Sequence, residues 1–195
     1  MVGYKPKDLI GIPWMVAFAL RADGWYLRSE IIWSKPNPMP ESVTDRPTKA
    51  HEQVFLLAKS RFYFYDANAI SEVAQYAGDD RRARTDNTVA QRIGYKSQTE
   101  RSEPTNERRN KRSVWEITTQ PYAEAHFATF PTKLVEPMVL AGSPYGSLVL
   151  DPFAGAGTTL KVAVGLGRSA IGIELNPEYA TMARRRLAGV TPAMF

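Results

Sequence analysis

The stretch LVLDPFAGAGTTLKVAVGLGRSAIGIEL, residues 148–175, decides the fold. Residues 148–150 are apolar and few, as in a buried strand, and Asp151 closes them. Gly155 and Gly157 permit a sharp turn and let the backbone approach a ligand with no Cβ in the way. Thr158 and Thr159 then open a helix, whose first N–H groups favour an anionic group such as a carboxylate. Residues 170–174 read as a second strand ending in Glu174, an acid placed to accept both hydroxyls of a ribose. This order suits a nucleotide-type cofactor at the carboxyl ends of a parallel sheet. DPFAGAGTT is not a GxGxxG turn and lacks a Walker lysine, so neither a dinucleotide site nor a phosphate cradle is indicated.

Working outward, NPEYATMARRRLAG reads as a helix with Asn176 as N-cap, Pro177 at the first helical position and Gly189 at the end. HFATFPTKLVEPMVLAGSP gives a helix opened by Pro131 and ended by Gly142, with Leu134, Met138 and Leu140 on its apolar face. Nearer the start, residues 8–22 carry helical spacing up to Asp23-Gly24, and Pro13 implies a late start or a kink. Strands are predicted at 28–34 and 52–58, with a third, aromatic one in RFYFYD. Strands alternating with helices predict an α/β sheet with helices on both faces.

Between these parts, from 67 to 119, apolar periodicity fades. Residues 81–112 hold ten Lys or Arg against four Asp or Glu, a net +6 that exceeds the +5 of the whole chain. Such a stretch reads as a solvated insert, as a surface that meets the phosphates of DNA and orders on it, or as both together. The 195 residues contain no cysteine, which excludes disulfides, thiolate metal sites and a thiol nucleophile. With two histidines, His51 and His126, a histidine-rich metal site is not indicated. No apolar run spans a bilayer and MVGYKPKDLIGIPW is not a signal peptide, so the expected location is cytoplasmic.

The chain resembles the amino-methylating DNA methyltransferases, which modify adenine N6 or cytosine N4. DPFAGAGTT is similar to their S-adenosylmethionine loop, IGIELNPEY to the next motif, and FPTKLVEPMVLAGSP to the motif lining the methionine end of the cofactor. KDLIGIPWMVAFAL, EIIWSKPNPMPES, RPTKAHEQVFLLAKS and RFYFYD resemble the stretches between the catalytic motif and the recognition region. In the family's β arrangement the cofactor loop comes late, as it does here. The resemblance implies a Rossmann-like, S-adenosylmethionine-dependent methyltransferase acting on double-stranded DNA, with no metal and no membrane association.

Three segments follow: 1–66 from the catalytic half, 67–119 as a basic insert and candidate recognition region, and 120–195 for the cofactor. The candidate cofactor residues are Asp151, Phe153, Ala154, Gly155, Gly157, Thr158, Thr159, Glu174 and Asn176, with Phe130, Pro131, Thr132 and Lys133 at the methionine end. Candidate DNA contacts are Trp33, Ser34, Lys35 and Asn37 at the end of the 28–34 strand, and Arg81, Arg82, Arg84, Arg108, Arg109, Lys111 and Arg112 in the basic stretch.

One element of the family is missing. Its catalytic [Asp/Asn/Ser]-Pro-Pro-[aromatic] tetrapeptide would lie before the segment at which this chain starts, and no Pro-Pro pair occurs anywhere in the sequence. The resemblance therefore names no catalytic residue here. It also implies that the strand bearing the tetrapeptide is absent from the middle of the sheet. The expectation is a truncated form with an incomplete or rearranged sheet, served by an upstream segment or a partner chain. The alternative is an inactive module that still binds DNA or a partner.

Overall fold

A computed structural model describes residues 3–74, 108–120 and 129–191. The chain divides into a unit made of Met1–Asp66 with Arg112–Phe195, and a second unit, Ala67–Lys111. In chain order the elements are α1 (Ile12–Ala22), β1 (Tyr26–Ser34), β2 (His51–Ala58), β3 (Glu72–Val73), β4 (Arg108–Arg109), β5 (Val114–Glu116), α2 (Thr132–Gly142), β6 (Leu148–Asp151), α3 (Thr158–Gly165), β7 (Ser169–Gly172) and α4 (Pro177–Ala188). Among the described residues no helix is long and apolar enough to cross a membrane.

The late start implied by Pro13 is the one found: α1 begins at Ile12, with Pro13 in its first turn. β1 and β2 pair antiparallel, with Ile31 opposite Val54 and Trp33 opposite Glu52, and a bulge between Leu27 and Ser29. β5 falls within the stretch 67–119, yet pairs parallel with β1, placing Val114 beside Ile32 and Trp115 beside Trp33. Residues 61–66, expected as a third strand, form none. Their run of aromatics lacks the alternation that commits a strand to one face, and Phe62 is 81% exposed. Tyr63 is held instead by Arg28, whose Nε donates to its hydroxyl at 3.0 Å.

The described strands do not join into one sheet. β2-β1-β5 is one, β6-β7 is another and parallel, and β3-β4 is a two-stranded ladder in the second unit. In the main unit, helix α2 packs on both of the larger sheets. Its Leu134 and Met138 join Trp33 and Trp115, while Val135 and Val139 join Val162 and Ala163 of α3 over Val149 and Ala170. Pro131 sits just before α2, as anticipated, and Pro137 lies inside it.

The core is thin. Among the described residues no large side chain is fully buried. Leu148, Leu150, Ile171 and Ile173, on the face of the β6-β7 pair away from α3, are each at least half exposed. The sequence gives no warning of Arg168, which is buried where α2 and α3 end. Its guanidinium donates to the Ser143 carbonyl at 2.7 Å, the Leu166 carbonyl at 2.6 Å and Ser143 Oγ at 3.3 Å, and so satisfies both helix C-termini. A lysine offers one point charge in place of this fork.

Because α2 bridges the two sheets, Leu134→Ala is expected to lower stability by about 2–5 kcal/mol in urea unfolding, the usual cost of emptying a buried leucine site.

Candidate cofactor site

Asp151, at the end of β6, turns the chain: its Oδ1 accepts the Phe153 N–H at 3.0 Å. The loop then passes under the end of β7, with Ala154 N donating to the Ile173 carbonyl at 2.9 Å. Gly155 and Gly157 adopt φ of 51° and 76°, the left-handed region where a side chain costs about 1–2 kcal/mol. Their surroundings differ. A Cβ on Gly157 would lie 2.8 Å from the Cβ of Ala183 in α4, whereas one on Gly155 would meet nothing within 4 Å. Gly157 is thus spent on helix packing. Gly155 faces open space, the side from which a ligand can approach.

Glu174 holds this loop. One carboxylate oxygen accepts the Gly155 N–H and the other the Asn176 N–H, both at 2.8 Å. Each oxygen keeps capacity for a further donor, as two ribose hydroxyls would require. Asn176 caps α4 by accepting from Glu178 N at 2.9 Å, as its position before Pro177 suggested.

From behind, Arg186 of α4 donates to the Ala156 carbonyl at 2.7 Å and to Thr158 Oγ1 at 3.2 Å. Thr158, the first residue of α3, is buried. Ala154 is buried as well, while Phe153 and Leu175 are 88% and 97% exposed. Leu175 and Arg186 are absent from the sequence-derived candidates. An apolar residue directly after the strand-end acid was the available signal for Leu175; the RRR run at 184–186 gave none for Arg186 over its neighbours.

Phe130 and Thr159 line one cavity of about 520 Å³, together with Leu134, Met138, Leu148 and Trp33. This cavity is apolar and lies under α2, apart from the open face of Gly155. Pro131 is buried, Thr132 half-buried and Lys133 exposed in the first turn of α2.

The DNA candidates separate. Trp33, a candidate DNA contact, is 3% exposed, and its indole N–H donates to the Ile117 carbonyl at 2.7 Å, so in this structure it is part of the core. Its burial follows from the β5 pairing, which sequence pattern did not reveal. Lys35 lies over the Trp33 ring at 4.4 Å and is ion-paired with Glu52. Ser34 accepts the Ile117 N–H at 3.0 Å, and Asn37 accepts the Thr119 N–H at 3.0 Å, so both tie β1 to the chain after β5.

In the second unit Arg108 donates to Ser71 Oγ and to the Ser71 carbonyl, while Arg109 and Lys111 share Glu72, each at 3.5 Å. Arg112 is exposed at the edge of the main unit. Arg81, Arg82 and Arg84 lie outside the described residues.

A parallel strand pair, a glycine loop open on one side and a carboxylate just past the second strand make a candidate cofactor site on a Rossmann-like frame. Residues 3–185 match the N6_N4_Mtase family, described as DNA methylase, and the chain belongs to that family. It is 49% identical over 187 residues to the type II methyltransferase M.Cfr9I of Citrobacter freundii, an alignment covering 96% of this chain and 53% of that protein. The chain spans about half the length of the curated relatives it matches.

Among solved structures, the fold is similar to that of the cytosine-N4-specific PvuII DNA methyltransferase, with TM-score 0.66, 18% identity, and coverage of 94% of this chain and 60% of that one. A DNA modification methylase of Thermus thermophilus complexed with S-adenosyl-L-methionine gives TM-score 0.57 and 27% identity over 94% of this chain and 61% of its own.

Two substitutions separate the roles within the loop. Gly157→Ala combines the left-handed φ with the Ala183 contact and should cost about 2–4 kcal/mol in urea unfolding. Gly155→Ala meets only the backbone cost, about 1 kcal/mol. Glu174→Gln is isosteric but turns an NH₂ toward one of the two backbone N–H groups, and should cost about 1–3 kcal/mol by the same measurement.

Proposed function

We propose that the chain is the cofactor-holding part of a site-specific DNA methyltransferase that uses S-adenosylmethionine to methylate an exocyclic amino nitrogen, adenine N6 or cytosine N4, in duplex DNA. The observation that carries this reading is the Glu174 carboxylate, fixed by Gly155 and Asn176 beside the open face of Gly155. Family membership supports it, as does the Thermus thermophilus relative's bound cofactor.

In this reading S-adenosylmethionine supplies an activated methyl group. Glu174 accepts the ribose hydroxyls, exposed Phe153 and Leu175 offer apolar surface to the adenine, and the N–H groups opening α3 face the methionine carboxylate. The unit Ala67–Lys111 serves target recognition, its cations meeting phosphates. Arg109 and Lys111 are shared with Glu72, so they carry less free charge than their number implies. A DNA substrate agrees with a cytoplasmic location.

The sequence has no Pro-Pro pair, and this favours a second reading for the chain acting alone: a module that holds cofactor and DNA and takes its base-binding residues from elsewhere.

Calorimetry with S-adenosylmethionine tests the first reading. The folded chain should bind it, and Glu174→Gln should weaken binding by about ten- to a hundredfold, the worth of hydrogen bonds to a charged acceptor. Absence of binding by a folded chain, or equal binding by the variant, overturns it. Affinity for duplex DNA should fall with salt, and the log–log slope should become shallower by about 0.9 for each phosphate contact removed in Arg108→Ala or Arg112→Ala.

A further inference from the structure

Two opposite charges hold the loop between β6 and α3, and they take neighbouring backbone groups. The Gly155 N–H goes to the Glu174 carboxylate at 2.8 Å. One residue on, the Ala156 carbonyl accepts from Arg186 at 2.7 Å, and the same guanidinium nitrogen donates to Thr158 Oγ1 at 3.2 Å. Arg186 lies in the last turn of α4, three residues after Ala183 and so on the same side of the helix. Ala183 is the residue that a Cβ on Gly157 would strike, 2.8 Å from its own Cβ. The guanidinium therefore holds the Ala156 carbonyl toward α4, the packed side of the loop. At Gly155, where a Cβ would meet nothing within 4 Å, the loop is open.

That carbonyl has a second orientation within reach. Turning the Ala156–Gly157 peptide over changes only ψ of Ala156 and φ of Gly157. Gly157 has φ 76°, so the turned form needs a φ of about −100°, and glycine takes φ of either sign. Two hydrogen bonds oppose the turn. One is within the loop, from Gly157 N to the Ala154 carbonyl at 2.8 Å. The other comes from Arg186, a charged donor, whose bond is roughly twice as strong as a neutral one. With the peptide as found, the carbonyl dipole points back into α4. Turned over, its oxygen would bring partial negative charge to the side from which a ligand approaches. An anionic group there would be repelled, whereas a ligand without one would lose little.

We propose that Arg186 is a positioning residue for the cofactor: by holding the Ala156 carbonyl on the α4 side, it keeps the loop receptive to the ligand's carboxylate, while Glu174 serves the ribose. This division of labour rests on the site taking S-adenosylmethionine. Loss of Arg186 lowers affinity for a ligand that carries the carboxylate. A residue that merely braced α4 against the loop would affect every ligand of the site alike.

Competition calorimetry with two ligands tests this: S-adenosylmethionine, and its decarboxylated form, which keeps adenine, ribose, sulfonium and amine. The unchanged chain should favour the first by about tenfold or more, the worth of interactions with a charged group. Arg186→Met keeps an apolar stem and loses the charge; the preference should fall to within about threefold, with little change in affinity for the decarboxylated form. Arg186→Lys carries the charge and reaches one acceptor, so it should restore most of the preference. If Arg186→Met does not fold, Arg186→Gln replaces it.

The proposal is overturned if the folded variant loses affinity for both ligands by the same factor, if the unchanged chain shows no preference, or if Arg186→Lys does no better than Arg186→Met. Absence of any binding by the folded, unchanged chain overturns the cofactor reading and takes this proposal with it. Binding that Glu174→Gln weakens, together with an equal response of both ligands to Arg186→Met, leaves that reading standing and sinks only the proposal.

Discussion

One carboxylate organises the candidate site. Glu174 lies just beyond the end of β7, and its two oxygens take the N–H of Gly155 from the loop after β6 and the N–H of Asn176 at the head of α4. Remove it, and the left-handed turn at Gly155 loses the hydrogen bond that anchors it on the ligand side. The other side is secured twice, by Arg186 on the Ala156 carbonyl and by the contact of Gly157 with Ala183. The loop is therefore set between strand and helix before any ligand arrives. Preorganisation of this kind lowers the ordering cost of binding.

The parts written locally in the sequence were legible there. The glycine pair and the Asn176-Pro177 helix start each state their conformation within a few residues, and α3 and α4 follow as anticipated; β6, expected to be buried, has Leu148 and Leu150 more than half exposed because no described element covers that face, and β7 ends at Gly172, two residues before Glu174. Family membership followed from the same motifs. Harder to see was anything settled by pairing across long separations. The burial of Trp33 was not legible, because nothing near it reveals that Val114–Glu116, some eighty positions later, pairs with β1. RFYFYD has strand composition but found no edge to pair with. Arg168 and Arg186 act through carbonyl acceptors, which every residue carries and no sequence motif advertises.

Glu174 was assigned to a ribose, and the geometry adds a second duty without removing the first. A carboxylate has room for about four donors, and two are occupied by backbone. The split between the glycines was likewise invisible from the pattern GAG: both need the left-handed region, but only one looks onto open space. Among the described residues, β2-β1-β5 and β6-β7 are separate sheets under α2.

Helix α2 has residues committed to two neighbours at once. Leu134 and Met138 belong to the tryptophan cluster, and Val135 and Val139, one position on, belong to α3. The same helix thus contributes side chains to the packing of both sheets, and a displacement of α2 would alter both clusters together. If ligand at the loop ahead of α3 changes the packing of α2, the β1 sheet would in turn change the affinity for that ligand by the same factor. Such reciprocity is a thermodynamic identity once the two ends share a body. In this fold the shared body is eleven residues long.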